Sequence, residues 1–184
     1  CGVVVYPLDQ AKTALMKYRE LATKMPKEMS VWFVLRKAPP LPFLPPETHG
    51  KEVIAFACIY AGPVAEGEKA IQPVRAFGTP YGEHLGPAPY ASFQQVLDPL
   101  LTPGFRNYWK SHNFTELQDG FFDAALDYGS RLPAHSDIFI ATLGGAAARV
   151  APDAMAYGNR DANFVMNVHT RWDTPQEDAG CIAW

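Results

Sequence analysis

Hydrophobic and polar positions change period several times along this chain. The β-branched run Val3-Val4-Val5 opens it, and Val3–Tyr6 reads as a short strand. Leu8, Ala11, Leu15, Tyr18 and Ala22 then recur at helical spacing. That predicts a helix capped by Asp9, running to about Lys24 and ended by Pro26. Met29–Arg36, rich in branched and aromatic residues, predicts a second strand. Pro39, Pro40, Pro42, Pro45 and Pro46 exclude a sheet interior or a helix and predict a stiff surface loop. Val53–Tyr60 is apolar on both faces, the mark of a central strand. A helix is expected over Val64–Phe77, stopped by Gly78 and kinked or split by Pro73. Thr79–Pro89 reads as loop, and Tyr90–Leu97 as a short helix.

Phe105–Phe114 predicts a further strand, after which Thr115-Glu116-Leu117-Gln118 has capping-box spacing. The helix it would open carries Leu117, Phe121, Ala125, Tyr128 and Leu132 on one stripe. Asp137–Leu143 is a buried strand followed by the turn Gly144-Gly145, and Asn163–Trp172 is the last strand. Thr174-Pro175 starts a terminal helix. Strands and helices mix without strict βαβ repetition. The expected fold class is therefore α+β, a largely antiparallel sheet with helices layered on one face.

The last strand alternates cleanly. Phe164, Met166, Val168, Thr170 and Trp172 point one way, suited to a face packed under helices. Asn163, Val165, Asn167, His169 and Arg171 point the other way and place amides, an imidazole and a guanidinium on an open face. On the strand near Arg106–His112, Tyr108, Lys110 and His112 share a side, opposite Trp109 and Ser111. Such polar faces are either simply solvated, as antiparallel sheets often are, or close over a ligand or a second domain.

Composition narrows the classes. At 184 residues and 48% hydrophobic content, one domain spanning residues 1–184 is expected. A net charge of -3 gives no electrostatic reason for a nucleic-acid partner. The longest apolar stretch, Val53–Ala61, is far short of the ~18 residues of a membrane helix. Cys58 lies in an apolar run and is expected to be a buried free thiol, which favours a reducing, cytoplasmic compartment. The histidines at 49, 84, 112, 135 and 169 show no metal-ligand spacing, and no metal is expected. G-x-G-x-x-G, Walker and G-x-S-x-G motifs are absent. His135, Ser136 and Asp137 are chain neighbours whose side chains alternate, so they form no relay among themselves. Residue 1 is Cys and the chain stops at the apolar Cys181-Ile182-Ala183-Trp184, so both ends read as cuts through a longer chain.

Several segments, in order, resemble the substrate domain of bacterial FAD-linked oxidases of the berberine-bridge type. They are Gly2–Leu8, Leu35–Pro40, Asn107–Ser111, Leu143–Gly145 with Arg149–Pro152, and Phe164–Val168 running to Trp172. The resemblance implies a ferredoxin-like substrate domain whose antiparallel sheet covers the flavin. A separate FAD-binding domain of the same parent chain would hold the nucleotide. A small organic substrate would be oxidised between them by hydride transfer to flavin N5. FAD is therefore implied for the full-length protein, and the isolated fragment is expected to be inactive and without flavin.

The resemblance also implies that Asn167, His169, Arg171, Tyr108 and Lys110 face substrate or flavin. Asn167 matches a position that carries an acid or an amide in relatives; an amide takes up no proton near neutral pH, so hydrogen bonding is its expected role. His169, about 6–7 Å along the strand on the same side, then becomes the candidate base. A His169 paired to Arg171 or to a backbone group is the competing reading, and so is a structural role for Lys110 paired to a carboxylate. Where relatives often show Pro-His-Arg, this chain has Gly158-Asn159-Arg160. The alternative function is a stand-alone ferredoxin-like module that binds a small ligand or dimerises through its open face; an RNA-binding sheet is opposed by the charge.

Overall fold

In β1 (Gly2–Pro7) alternate residues turn to opposite sides, and both sides are covered. Val4 and Tyr6 enter the main core, while Val5 enters a smaller one. The computed structural model describes residues 1–184. After β1 the chain forms α1 (Ala11–Ala22), β2 (Met29–Lys37), β3 (Glu52–Tyr60), α2 (Val64–Arg75) and β4 (Gly82–Leu85). The second half adds α3 (Tyr90–Gln94), β5 (Arg106–Phe114), α4 (Asp119–Gly129), β6 (Asp137–Thr142), α5 (Gly145–Ala148), β7 (Phe164–Trp172) and α6 (Asp178–Ala183).

All seven strands join one sheet in the order β4-β1-β3-β2-β6-β7-β5, and every neighbouring pair is antiparallel. The first four strands with α1 and α2 make the βαββαβ unit of ferredoxin-like folds. β6, β7 and β5 extend the sheet beyond β2. The fold is thus α+β with a wholly antiparallel sheet. As its apolar run requires, β3 lies inside the sheet between β1 and β2.

Helices occupy one side. Ala11, Ala14, Leu15 and Tyr18 of α1, Ile71 and Val74 of α2, and Phe122 and Ala125 of α4 pack on Val4, Tyr6, Phe33, Phe56, Ile138, Ile140 and Phe164 of the strands. Tyr18 sits at the centre. Its ring lies 5.4 Å from Phe33 and 5.8 Å from Phe56, and its hydroxyl donates to the Val31 carbonyl at 2.9 Å. Burial pushes the Cys58 thiol up to about 12, so it stays neutral and unreactive among these residues.

Local details depart from the sequence reading where tertiary contacts intervene. Asp9 lies in a 3-10 turn ahead of α1 and makes no side-chain cap. Thr115–Gln118 forms no capping box; α4 starts at Asp119, and the Thr115 carbonyl accepts from the Asn163 amide instead. The capping box is at Thr174 and Glu177, ahead of α6. Pro73 falls in the last turns of α2, which runs unbroken to Arg75. Gly82–Leu85 is an edge strand on β1 rather than loop. A Cβ at Gly82 would lie 2.3 Å from the Phe43 carbonyl oxygen, so glycine there is what lets the proline-rich loop close on this edge.

Replacing Phe56 tests the helix-side core. Its ring is within 4.8 Å of Phe77 and 5.9 Å of Tyr6, centroid to centroid, and is fully buried. Phe56→Ala is expected to lower unfolding free energy by about 3–5 kcal/mol in urea titration; an unchanged midpoint would contradict this packing.

Candidate functional site

The sheet face opposite the helices is built from pairing register. Directly opposed residues in an antiparallel ladder share a face. One row across the sheet therefore reads Arg36, Asp137, His169 and Trp109. The next reads Val34, Phe139, Asn167 and Ser111, and a third starts with Trp32, Ala141 and Val165. None of these residues belongs to the helix-side core.

Loops cover this face only at its ends. At the β1–β3 end the proline-rich loop folds over it, packing Ala38 and Leu44 on Val5, Val53 and Ala55. At the other end, Arg171 is only 5% exposed and its guanidinium donates to the Leu100 and Thr102 carbonyls, with Phe105 stacked at 4.7 Å. Between these loops no helix covers the face, and its tryptophans reach solvent while the groups beneath them are largely buried. Trp32 and Trp109 are 38% and 50% exposed there.

Four rings run across this strip in contact. Trp32 lies 5.8 Å from Phe139, Phe139 lies 5.1 Å from His169, and His169 stacks on Trp109 at 4.2 Å. His169 Nδ1 is 3.1 Å from Asp137 Oδ1, and both side chains are nearly buried. The imidazole is thus flanked by a carboxylate, an indole face and a phenyl edge, and its near neighbour is neither Arg171 nor a backbone group. Asn167 stands beside it with its amide free of any protein hydrogen bond on this face.

Not all the residues singled out from sequence meet here. Asn167 and His169 do. Arg171 shares the face but its fork is spent on the 98–105 segment, so it builds the rim. Tyr108 opposes Thr170 and Lys110 opposes Val168, which puts both on the helix side of the sheet. There they lie exposed on the edge strand, with Lys110 Nζ 5.2 Å over the Tyr108 ring and no carboxylate partner. The residues of β5 that do face Asn167 and His169 are Trp109 and Ser111. Asp137 is the further member of the cluster. Its role depends on β6 lying beside β7, which no local pattern announces.

Two clefts, of about 1340 Å³ and 710 Å³, lie away from this face. The larger sits between the end of α1, the β5–α4 loop and Gly144-Gly145; the smaller lies beside α2 and β4. Arg19 in the larger is already bound to Asp119 and the Leu117 carbonyl. No group of three or more His, Cys, Asp and Glu gathers anywhere in the fold, and no helix is long and apolar enough to cross a membrane.

The Arg171 anchor gives a direct test. Arg171→Lys keeps the charge but not the two-pronged geometry. It is expected to cost about 1–3 kcal/mol and to speed amide exchange in residues 98–105 selectively. Unchanged exchange there would show that the rim is held by something else.

No family model matches the chain. An uncharacterized FAD-linked oxidoreductase of Bacillus subtilis (strain 168), YgaK, is 28% identical over 131 residues, covering 68% of this chain and 28% of that protein. Among solved structures, GilR, the oxidoreductase of the terminal step of gilvocarcin biosynthesis, superposes with a TM-score of 0.75 at 16% identity. That match covers 100% of this chain and 39% of GilR. A berberine bridge enzyme variant bound to (S)-reticuline superposes with a TM-score of 0.72 at 13% identity, covering 100% of this chain and 38% of the enzyme. The chain thus spans well under half the length of each of these proteins. It has the fold of one part of the berberine-bridge-type FAD-linked oxidases.

Proposed function

We propose that this chain is the substrate-side domain of an FAD-dependent oxidoreductase, and that its helix-free sheet face closes over the flavin and a small organic substrate. The observation that carries the reading is the placement of Trp109, Asn167 and His169 on the one sheet face that the chain's own helices leave uncovered. A flat tricyclic ring needs a flat, largely apolar cover with a few fixed polar groups. The strip of Trp32, Phe139 and Trp109, with the Asn167 amide and the Ser111 hydroxyl between them, has that character. The FAD-binding domain of the same parent chain would supply the nucleotide pocket, for which this sequence has no glycine-rich loop.

Bound FAD would accept hydride at N5 from the substrate. The residues of this chain do the rest. Asn167 can donate and accept hydrogen bonds but takes up no proton near neutrality, so it orients substrate or flavin. His169 receives the proton that the substrate's hydroxyl or amine loses as hydride leaves the adjacent carbon. The Trp109 indole shields the imidazole from water on one side. Arg171 and the 98–105 segment form a wall of the cavity without touching substrate.

The full-length protein is expected to be yellow, with flavin absorbance in the visible, and to reduce its flavin anaerobically when given substrate. His169→Ala should keep the flavin spectrum and lower kcat by roughly 10²–10⁴-fold, the usual worth of a positioned base. A colourless, correctly folded parent protein would count against the flavin assignment, and an equally fast His169→Ala enzyme against the role of the imidazole.

A further inference from the structure

We propose that Asp137 is the positioning residue for His169, turning the imidazole into a pre-set proton acceptor; this rests on the reading of His169 as the base. The two residues face each other directly across the β6–β7 ladder, and Asp137 Oδ1 lies 3.1 Å from His169 Nδ1. The 3.1 Å approach is an electrostatic contact rather than an aligned hydrogen bond; a carboxylate this near favours a proton on that nitrogen by its charge, which leaves Nε2 with its lone pair. The ring cannot turn away freely. It is stacked on Trp109 at 4.2 Å with an interplanar angle of 25°, and meets Phe139 edge-on at 5.1 Å.

The surroundings argue against an incidental surface pair. Asp137 begins a strand otherwise composed of Ile138, Phe139, Ile140, Ala141 and Thr142, and its residue is 7% exposed. Burying a carboxylate there is costly unless it is partnered. The chain contains a second pair of the same type, His135 with Asp173 at 3.0 Å, whose side chains are 43% and 59% exposed. That pair is hydrogen-bonded but solvated. By contrast the Asp137–His169 side chains are 10% and 12% exposed.

The charged groups facing the pair come from two strands, β2 and β7. Arg36 of β2 stands in register opposite Asp137 and brings a compensating positive charge; burial lowers its own pKa, against which Asp137 acts. Arg171 of β7 shares the face two residues beyond His169, with its guanidinium turned to the Leu100 and Thr102 carbonyls. β5 contributes Trp109 and no charge on this side, since Lys110 lies on the other. In the oxidation, the substrate's C–H pair leaves as hydride to FAD and its O–H or N–H proton passes to Nε2. The Asp137 side chain stands 3.1 Å from the ring that takes up this proton.

The test uses the full-length flavoprotein and the variants Asp137→Asn, Asp137→Glu and His169→Ala. Asp137→Asn should lower kcat roughly 10²-fold or more with KM little changed and flavin content intact, and Asp137→Glu should recover part of the loss. Nitrogen NMR of the unaltered protein should find the neutral His169 ring protonated at Nδ1, and Asp137→Asn should shift that balance. A slow His169→Ala enzyme beside an Asp137→Asn enzyme as fast as the parent would overturn the positioning role while leaving His169 as the base. A fast His169→Ala enzyme would instead remove the reading on which it rests. An unaltered protein with its proton on Nε2 would overturn the proposal without any variant.

Discussion

A sheet with helices on one face only must leave its other face to water, to loops or to another body. In this chain that constraint shapes everything else. α1, α2 and α4 bury one side of seven antiparallel strands, and a single aromatic core centred on Tyr18 and Phe56 results. The other side is closed at both ends by loops, yet keeps two half-exposed tryptophans between them. Large apolar side chains in a row on a rigid, uncovered surface mark a place where something docks. The similarity to FAD-linked oxidases, in which this fold makes up about two fifths of the chain, fits a domain shaped to meet another.

The polar residues on that strip are few, and each is held differently. Arg171 is spent on two backbone carbonyls and Phe105, which makes it a rim residue. Asn167 is left with its amide uncommitted. His169 is flanked on three sides by Asp137, Trp109 and Phe139. An imidazole packed between aromatic rings beside a free amide on a mostly apolar floor fits the proton transfer proposed for His169.

Much of this was legible in the sequence, because a strand's alternation is local. The split of β7 into an apolar set under helices and a polar set facing outward follows from period two alone, and the structure places Asn167 and His169 on the uncovered side accordingly. The apolar run of β3 likewise announced its interior position. What one strand's pattern does not contain is its register against a neighbour. Tyr108 and Lys110 looked like companions of Asn167, but β5 pairs so that Trp109 opposes His169, and a shift of one residue exchanges the faces. Asp137 was hidden for the same reason: read along the chain it is a neighbour of His135 and Ser136, and only the β6–β7 ladder brings it to His169. The edge strand β4 was missed because its pairing depends on Gly82 admitting the backbone of a distant loop.

On the proposed reading, the side of the sheet away from α1, α2 and α4 lies against a flavin. A crystal structure of the full-length protein tests this. The expected result is an isoalloxazine ring next to the strip bounded by Trp32 and Trp109, with Asn167 and His169 lining the space beside it. A flavin seated on the helix side of the sheet, or a strip left facing solvent in the intact protein, would contradict it.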